Sequence, residues 1–149
     1  LPATRVDFYQ LSRDPIERVV TTLARKVLAG NARLLVVHGE GAAREAIARE
    51  LWRAGPEDFL ANGEADGAGA ADQPILLSAT PDPVNGARIV ILADGTWRAE
   101  ALGFERALLM FGAGDTAAAR EVWRALDGEE GIQREIHKQD EAGKWRAGG

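Results

Sequence analysis

Arg33-Leu34-Leu35-Val36-Val37-His38-Gly39-Glu40-Gly41 carries the clearest structural pattern in the chain. Leu34 to Val37 is a continuous apolar run rather than an alternating one, the pattern of a strand buried on both faces. The Gly-rich turn after it, Gly39 to Gly41, leads into a helical pattern that lasts to Trp52-Arg53-Ala54. Its inner face is expected at Ala43, Ile47 and Leu51. Trp52 lies about 100° round the helix from Leu51, at the edge of that stripe. Strand, turn and helix in this order announce a layered α/β domain.

Nearer the start of the chain, Asp14-Pro15-Ile16-Glu17 reads as a helix start. Asp14 can cap, Pro15 suits the first helical position and Glu17 sits where a capping-box acid belongs. Ile16, Val19, Val20, Leu23 and Val27 then recur at helical spacing, and Gly30-Asn31 ends the helix. Thr4 to Leu11, with Val6, Phe8 and Tyr9, reads as a strand.

Towards the other end, the helix from Gly41 turns through Gly55-Pro56, and Phe59-Leu60-Ala61 reads as a short strand. Trp52 and Phe59 stand on either side of that corner and offer apolar surface without reactive chemistry. Gly63 to Asp72 is small, polar and Gly/Ala-rich and reads as a flexible loop. Pro74 to Ala79 and Arg88 to Ala93 are two further apolar strands joined by the turn-rich Thr80 to Gly86. Leu102 to Phe111 is expected to be a helix carrying Phe104, Leu108 and Phe111. Asp115 is expected to cap a last helix from Thr116 to about Asp127. Ile132 to Gln139 is extended or mixed, and a polar tail follows from about residue 140. This element order favours one domain over residues 1–149, an α/β fold with a parallel or mostly parallel sheet and helices on both faces.

Composition bounds the function. The chain has 149 residues, a formal net charge of −5 and no cysteine. Disulfides and thiolate chemistry are excluded, and the acidic balance argues against a general nucleic-acid binder. No apolar run approaches a membrane span, no secretory leader is visible at Leu1, and the cytoplasm is the expected location.

Candidate chemistry is sparse. Gly39-Glu40-Gly41 resembles the opening of a dinucleotide fingerprint, but the third glycine would fall at Arg44. The competing functional reading, a small nucleotide- or dinucleotide-dependent enzyme, rests on this turn. Asp94, after the Arg88-to-Ala93 strand, reads as a turn residue beside Gly95. His38 and His137 lack neighbours at ligand spacing, so no metal is expected. Ser12 and Ser78 are outside any nucleophile elbow, and no catalytic or cofactor-binding residue is assigned. On the last helix, Arg120, Trp123 and Arg124 share a face at i, i+3 and i+4. The plain reading is a core-edge Trp between solvated arginines. The functional one is an apolar pocket with a basic rim, suited to an acidic peptide that ends in an aromatic residue and a free carboxylate.

Several motifs together carry a resemblance to a known family. Phe8-Tyr9-x-Leu11, Leu51-Trp52 followed by Asp58-Phe59-Leu60, Gln73-Pro74-Ile75, and Ala119-Arg120-Glu121 leading to Trp123 resemble the chi subunit of bacterial DNA polymerase III. Their order and spacing span about Val6 to Trp145. The composition and the tail Gln139 to Trp145 resemble the alphaproteobacterial branch. The resemblance implies a Rossmann-like three-layer sandwich that is an adapter without a catalytic site or cofactor. It implies contact with the clamp loader through the psi subunit or an equivalent partner, at Trp52 and Phe59. It also implies a pocket for the acidic C-terminal tail of single-stranded-DNA-binding protein at Arg120, Trp123 and Arg124. Direct contact with nucleic acid or membrane is not implied. In two places the chain departs from the family: the further basic residue early in the last helix falls near Thr116, and the segment after Gly128 is longer and more polar.

Overall fold

A computed structural model describes residues 4–54 and 60–147. An eight-stranded sheet runs through it in the order β3-β4-β2-β5-β6-β1-β7-β8. The strands are β1 (Thr4–Gln10), β2 (Leu34–Val37), β3 (Asn62–Glu64), β4 (Ile75–Ser78), β5 (Ile89–Leu92), β6 (Arg106–Phe111), β7 (Ile132–Gln139) and β8 (Trp145–Ala147). Every neighbouring pair is parallel except β7–β8. Helices α1 (Ile16–Ala29) and α2 (Gly41–Trp52) pack on one face, and α3 (Thr116–Ala125) on the other. The expected α/β sandwich with a mostly parallel sheet is what forms.

The two cores follow from strand alternation. Leu34, Val36, Ile75, Leu77 and Ile91 meet Val20, Leu23, Ile47 and Leu51 of α1 and α2. The intervening Leu35, Val37, Leu76, Val90 and Leu92 point the other way, towards Ala119 and Leu126 on and after α3. A strand with both faces covered needs apolar residues at every position, and β2 is buried throughout.

Helix α1 has the stripe its spacing predicts, with Val19, Val20, Leu23 and Val27 buried. Its start differs in detail. Pro15 takes the cap position without a side-chain bond. Asp14 instead accepts a hydrogen bond from Gln139 Nε2 at 2.7 Å, which ties the helix entry to β7. At the other end Asn31 adopts φ 60°, the left-handed conformation that Asn tolerates. Asp115 likewise makes no capping bond at α3, which ends at Ala125 rather than near Asp127.

One element has the wrong type in the sequence reading. The stretch expected as a helix from Leu102 to Phe111 is a short 3-10 turn (Ala99–Gly103) followed by β6. Phe104, Leu108 and Phe111 do fall at helical intervals. However, Ala107 to Phe111 are all buried, and a strand lying between β5 and β1 with both faces covered needs that unbroken apolar run.

Other expected segments also take more definite form. Within 63–72, β3 pairs with β4 and Ala70 is buried in a 3-10 turn. Leu60 and Ala61 precede β3 without strand structure, and Phe59 lies outside the described residues. Beyond residue 140 the chain turns back, and β8 pairs with the end of β7. Trp145 meets Tyr9 edge-on, with ring centroids 5.3 Å apart.

Candidate functional site

The C-terminal ends of β6, β1 and β7 lie side by side under α3. Strand register fixes what they present. Phe111, Gln10 and Lys138 form one row across the sheet, and Leu109, Phe8 and Ile136, two residues earlier, the next row on the same face. On the helix, Thr116, Ala119, Arg120 and Trp123 recur at i, i+3, i+4 and i+7, so one side of α3 overhangs those rows. Between them lies a cavity of about 310 Å³. Phe8, Phe111, Ala119, Trp123 and Ile136 supply its apolar lining, with Gln10, Thr116, Arg120 and Lys138 the polar part.

Two of the three residues expected on this face, Arg120 and Trp123, line the cavity; Arg124 is exposed beyond it. Trp123 stands edge-on to Phe8, with centroids 5.1 Å apart. The Arg134 guanidinium lies over the Trp123 ring, 4.3 Å from its centroid. Neither Arg120 nor Lys138 has a carboxylate within ion-pair distance among the described residues. The cavity therefore joins apolar walls to two cationic side chains still able to take an anion. Lys138 and Ile136 were missed from sequence because β7 had not been placed beside β1. The alternation Ile132, Arg134, Ile136, Lys138 on one face was the available signal.

The switch point between β2 and β5, where a nucleotide would sit in an α/β sheet, is filled by the protein's own side chains. The Gly39 N–H donates to Asp94 Oδ2 at 3.0 Å, and Arg98 donates to both Asp94 oxygens at 2.8 Å. Arg44, at the place of the fingerprint's third glycine, reaches back to donate to the His38 carbonyl at 2.7 Å. An internal carboxylate thus uses the turn's N–H, which a bound phosphate would otherwise need. Burial pushes the Asp94 carboxyl up, but hydrogen bonds from Arg98, Gly39 and Thr96 outweigh it and hold it down to about 2. A carboxyl with a depressed folded-state pKa stabilises above its unfolded value, and that contribution is lost as the pH falls through the folded one. Asp94→Asn is therefore expected to cost about 2 kcal/mol at pH 7. Denaturant titrations should show this gap from wild type shrinking between pH 4 and pH 2. A gap that stays constant over that range would contradict the assignment.

A second polar cluster lies on the opposite face of β1. Asp7 is fully buried. It accepts hydrogen bonds from Arg5 at 3.0 Å and Arg106 at 2.7 Å, and lies 2.9 Å from His137 Nε2. Arg5 also pairs with Glu135 at 2.8 Å. Burial raises the Asp7 pKa, but hydrogen bonds from Arg5, His137 and Arg106 together bring it below the ordinary value. Asp7, Glu135 and His137 are metal-ligating types whose ligand atoms lie within 4.8 Å of one another. Sequence spacing did not reveal them, because β1–β7 register brings together residues far apart in the chain. With two guanidinium groups already on Asp7, the cluster is an internal ion network rather than an open donor set.

Trp52, the other singled-out aromatic in the described residues, is 55% exposed at the end of α2, next to fully buried Leu51. It belongs to α2, which packs on the sheet face opposite α3. No helix is long and apolar enough to cross a membrane among the described residues.

No curated protein matches the chain. Residues 3–133 do match the model of the family described as DNA polymerase III chi subunit, HolC. That span runs from β1 through α3 into β7 and includes Trp52, Arg120, Trp123 and Arg124. With most of its length matched, the chain belongs to the DNA polymerase III chi subunit family, accessory components of the DNA replication machinery.

Proposed function

We propose that this protein is a non-catalytic adapter that joins the clamp loader to single-stranded-DNA-binding protein. The observation that carries the reading is the α3 cavity. Its walls, Phe8, Phe111, Trp123 and Ile136, suit an aromatic side chain, and Arg120 and Lys138 suit the negative charges beside it. The acidic C-terminal tail of single-stranded-DNA-binding protein has that chemistry: a terminal aromatic residue, its free carboxylate and acidic residues before it. Arg120 pairs the terminal carboxylate, Trp123 packs on the ring, and Arg124 adds attraction from the next turn of the helix. The clamp-loader side is assigned to Trp52 and Phe59, with psi or an equivalent subunit as partner.

A peptide copying the last residues of the cognate single-stranded-DNA-binding protein tests the pocket. Arg120→Ala should weaken its binding by about 1.5–3 kcal/mol, roughly tenfold to more than a hundredfold, the range for a hydrogen bond to a charged group. Raising the salt should weaken wild-type binding too, because rim charges are screened. Calorimetric affinities unchanged in Arg120→Ala would remove Arg120 from the site.

A further inference from the structure

Strand β7 carries a residue that the site reading leaves unused. Arg134 belongs to the same face of β7 as Ile136 and Lys138, but it does not line the cavity. It lies behind the wall, on Trp123. Its guanidinium carbon is 4.3 Å from the indole centroid. Its Nη1 donates to the Trp123 carbonyl, and its Nη2 donates to Asp127 Oδ1 at 2.8 Å. One side chain thus grips the ring, the backbone and the end of α3 together. Meanwhile Phe8 meets the same ring edge-on from the sheet.

We infer that Arg134 is the positioning residue of the peptide pocket, acting through Trp123. The inference rests on the pocket reading above and adds a residue outside the span matched to the family, which ends at 133. The physical reason is geometric. Trp123 is only half-buried near the exposed end of a ten-residue helix, so burial alone leaves its ring orientation loosely determined. A planar guanidinium stacked on the ring and bonded to the backbone beneath it selects one orientation. The wall is then formed before a ligand arrives, which lowers the ordering cost of binding. Lysine has the charge but neither the plane nor the fork, so it cannot take this place.

The test compares wild type, Arg134→Met, Arg134→Lys, Trp123→Leu and the Arg134→Met/Trp123→Leu double variant. Each is titrated with the tail peptide and followed by chemical shifts, which still read millimolar affinities. The Trp123 indole N–H resonance, identified by its loss in Trp123→Leu, is recorded without peptide. Arg134→Met should weaken binding roughly five- to twentyfold, shift or broaden the indole resonance, and leave the protein folded at the titration temperature. Arg134→Lys should not restore binding. In the Trp123→Leu background, Arg134→Met should have almost no further effect. An equal loss in both backgrounds would mean that Arg134 attracts the acidic peptide directly, and would overturn the inference. So would an Arg134→Met protein with an unmoved indole resonance and wild-type affinity. If wild type itself does not bind the peptide, the pocket reading falls and takes the peptide role of Arg134 with it. An indole resonance that still moves would then leave Arg134 only as a brace for the ring.

Discussion

Asp7→Ala should be among the most destabilising single changes in this chain, by about 3–5 kcal/mol. The carboxylate is fully buried and is the shared acceptor for Arg5, Arg106 and His137, which come from three adjacent strands. Removing it leaves two guanidinium groups and an imidazole together, with Glu135 the one carboxylate left in the cluster, 2.8 Å from Arg5 and 3.9 Å from His137. The loss exceeds that of an exposed ion pair because the carboxylate is buried and shared by three donors at once. For a chain of this size the melting temperature should fall by roughly 6–20 °C. Asp7→Asn, which keeps the shape and loses the charge, should fall between wild type and Asp7→Ala. The pH dependence has a definite sign. The folded-state pKa of Asp7 is lowered, so its stabilisation is present above the usual carboxylate value and fades as the pH drops below it. Calorimetric melts at pH 7 within 2 °C of wild type would show that the network is dispensable.

The second large effect sets two neighbours against each other. Leu51 is 1% exposed in the core under α2, whereas Trp52 is 55% exposed. Leu51→Ala is expected to cost about 2–5 kcal/mol, combining lost burial with an unfilled cavity. Trp52→Ala, despite deleting more atoms, should cost less than about 1 kcal/mol. If Trp52 meets the clamp loader, that same variant should lose association with clamp-loader subunits in a co-purification from the native cell. Equal melting-temperature losses for the two variants would make Trp52 a core residue and remove it from the partner surface.

These two residues also mark what a sequence can reveal. Helical phase separated Leu51 from Trp52 because a one-residue step rotates a side chain by about 100°. The same logic found the α1 stripe and put Trp123 and Arg120 on one side of α3. It failed at β6, where Phe104, Leu108 and Phe111 fit a helical period, but Leu108 and Phe111 belong to a strand buried from Ala107 onward and Phe104 precedes it. Short apolar runs carry no period that separates strand from buried helix. Phe59, the partner of Trp52 in the sequence argument, lies outside the described residues, so the geometry of that corner stops at Ala54.

The cavity shows a different limit. Its helix side was readable because Thr116 to Trp123 are close in sequence. Its sheet side was not, because Phe8, Phe111 and Ile136 become neighbours only through the pairings of β1 with β6 and β7. The ion network around Asp7 was hidden for the same reason: Arg5, Arg106 and His137 meet through strand register. Local periodicity says which way a residue points within its own element. It does not say which element lies alongside.

That β1 lies between β6 and β7 also bears on how quickly the molecule folds. Strand β1 has no neighbour in the sheet until chain about 100 residues further on is in place, a separation that slows folding by the entropy of closing so long a loop. Helices α1 and α2 with β2 to β5 can assemble among themselves in the meantime. Val6 and Phe8, buried on one face of β1, and Tyr9 on the other, must wait. The native state should therefore be reached slowly, and stopped-flow refolding should show its late phase in signals from the β1–β6–β7 half of the sheet, the half that contains the α3 cavity.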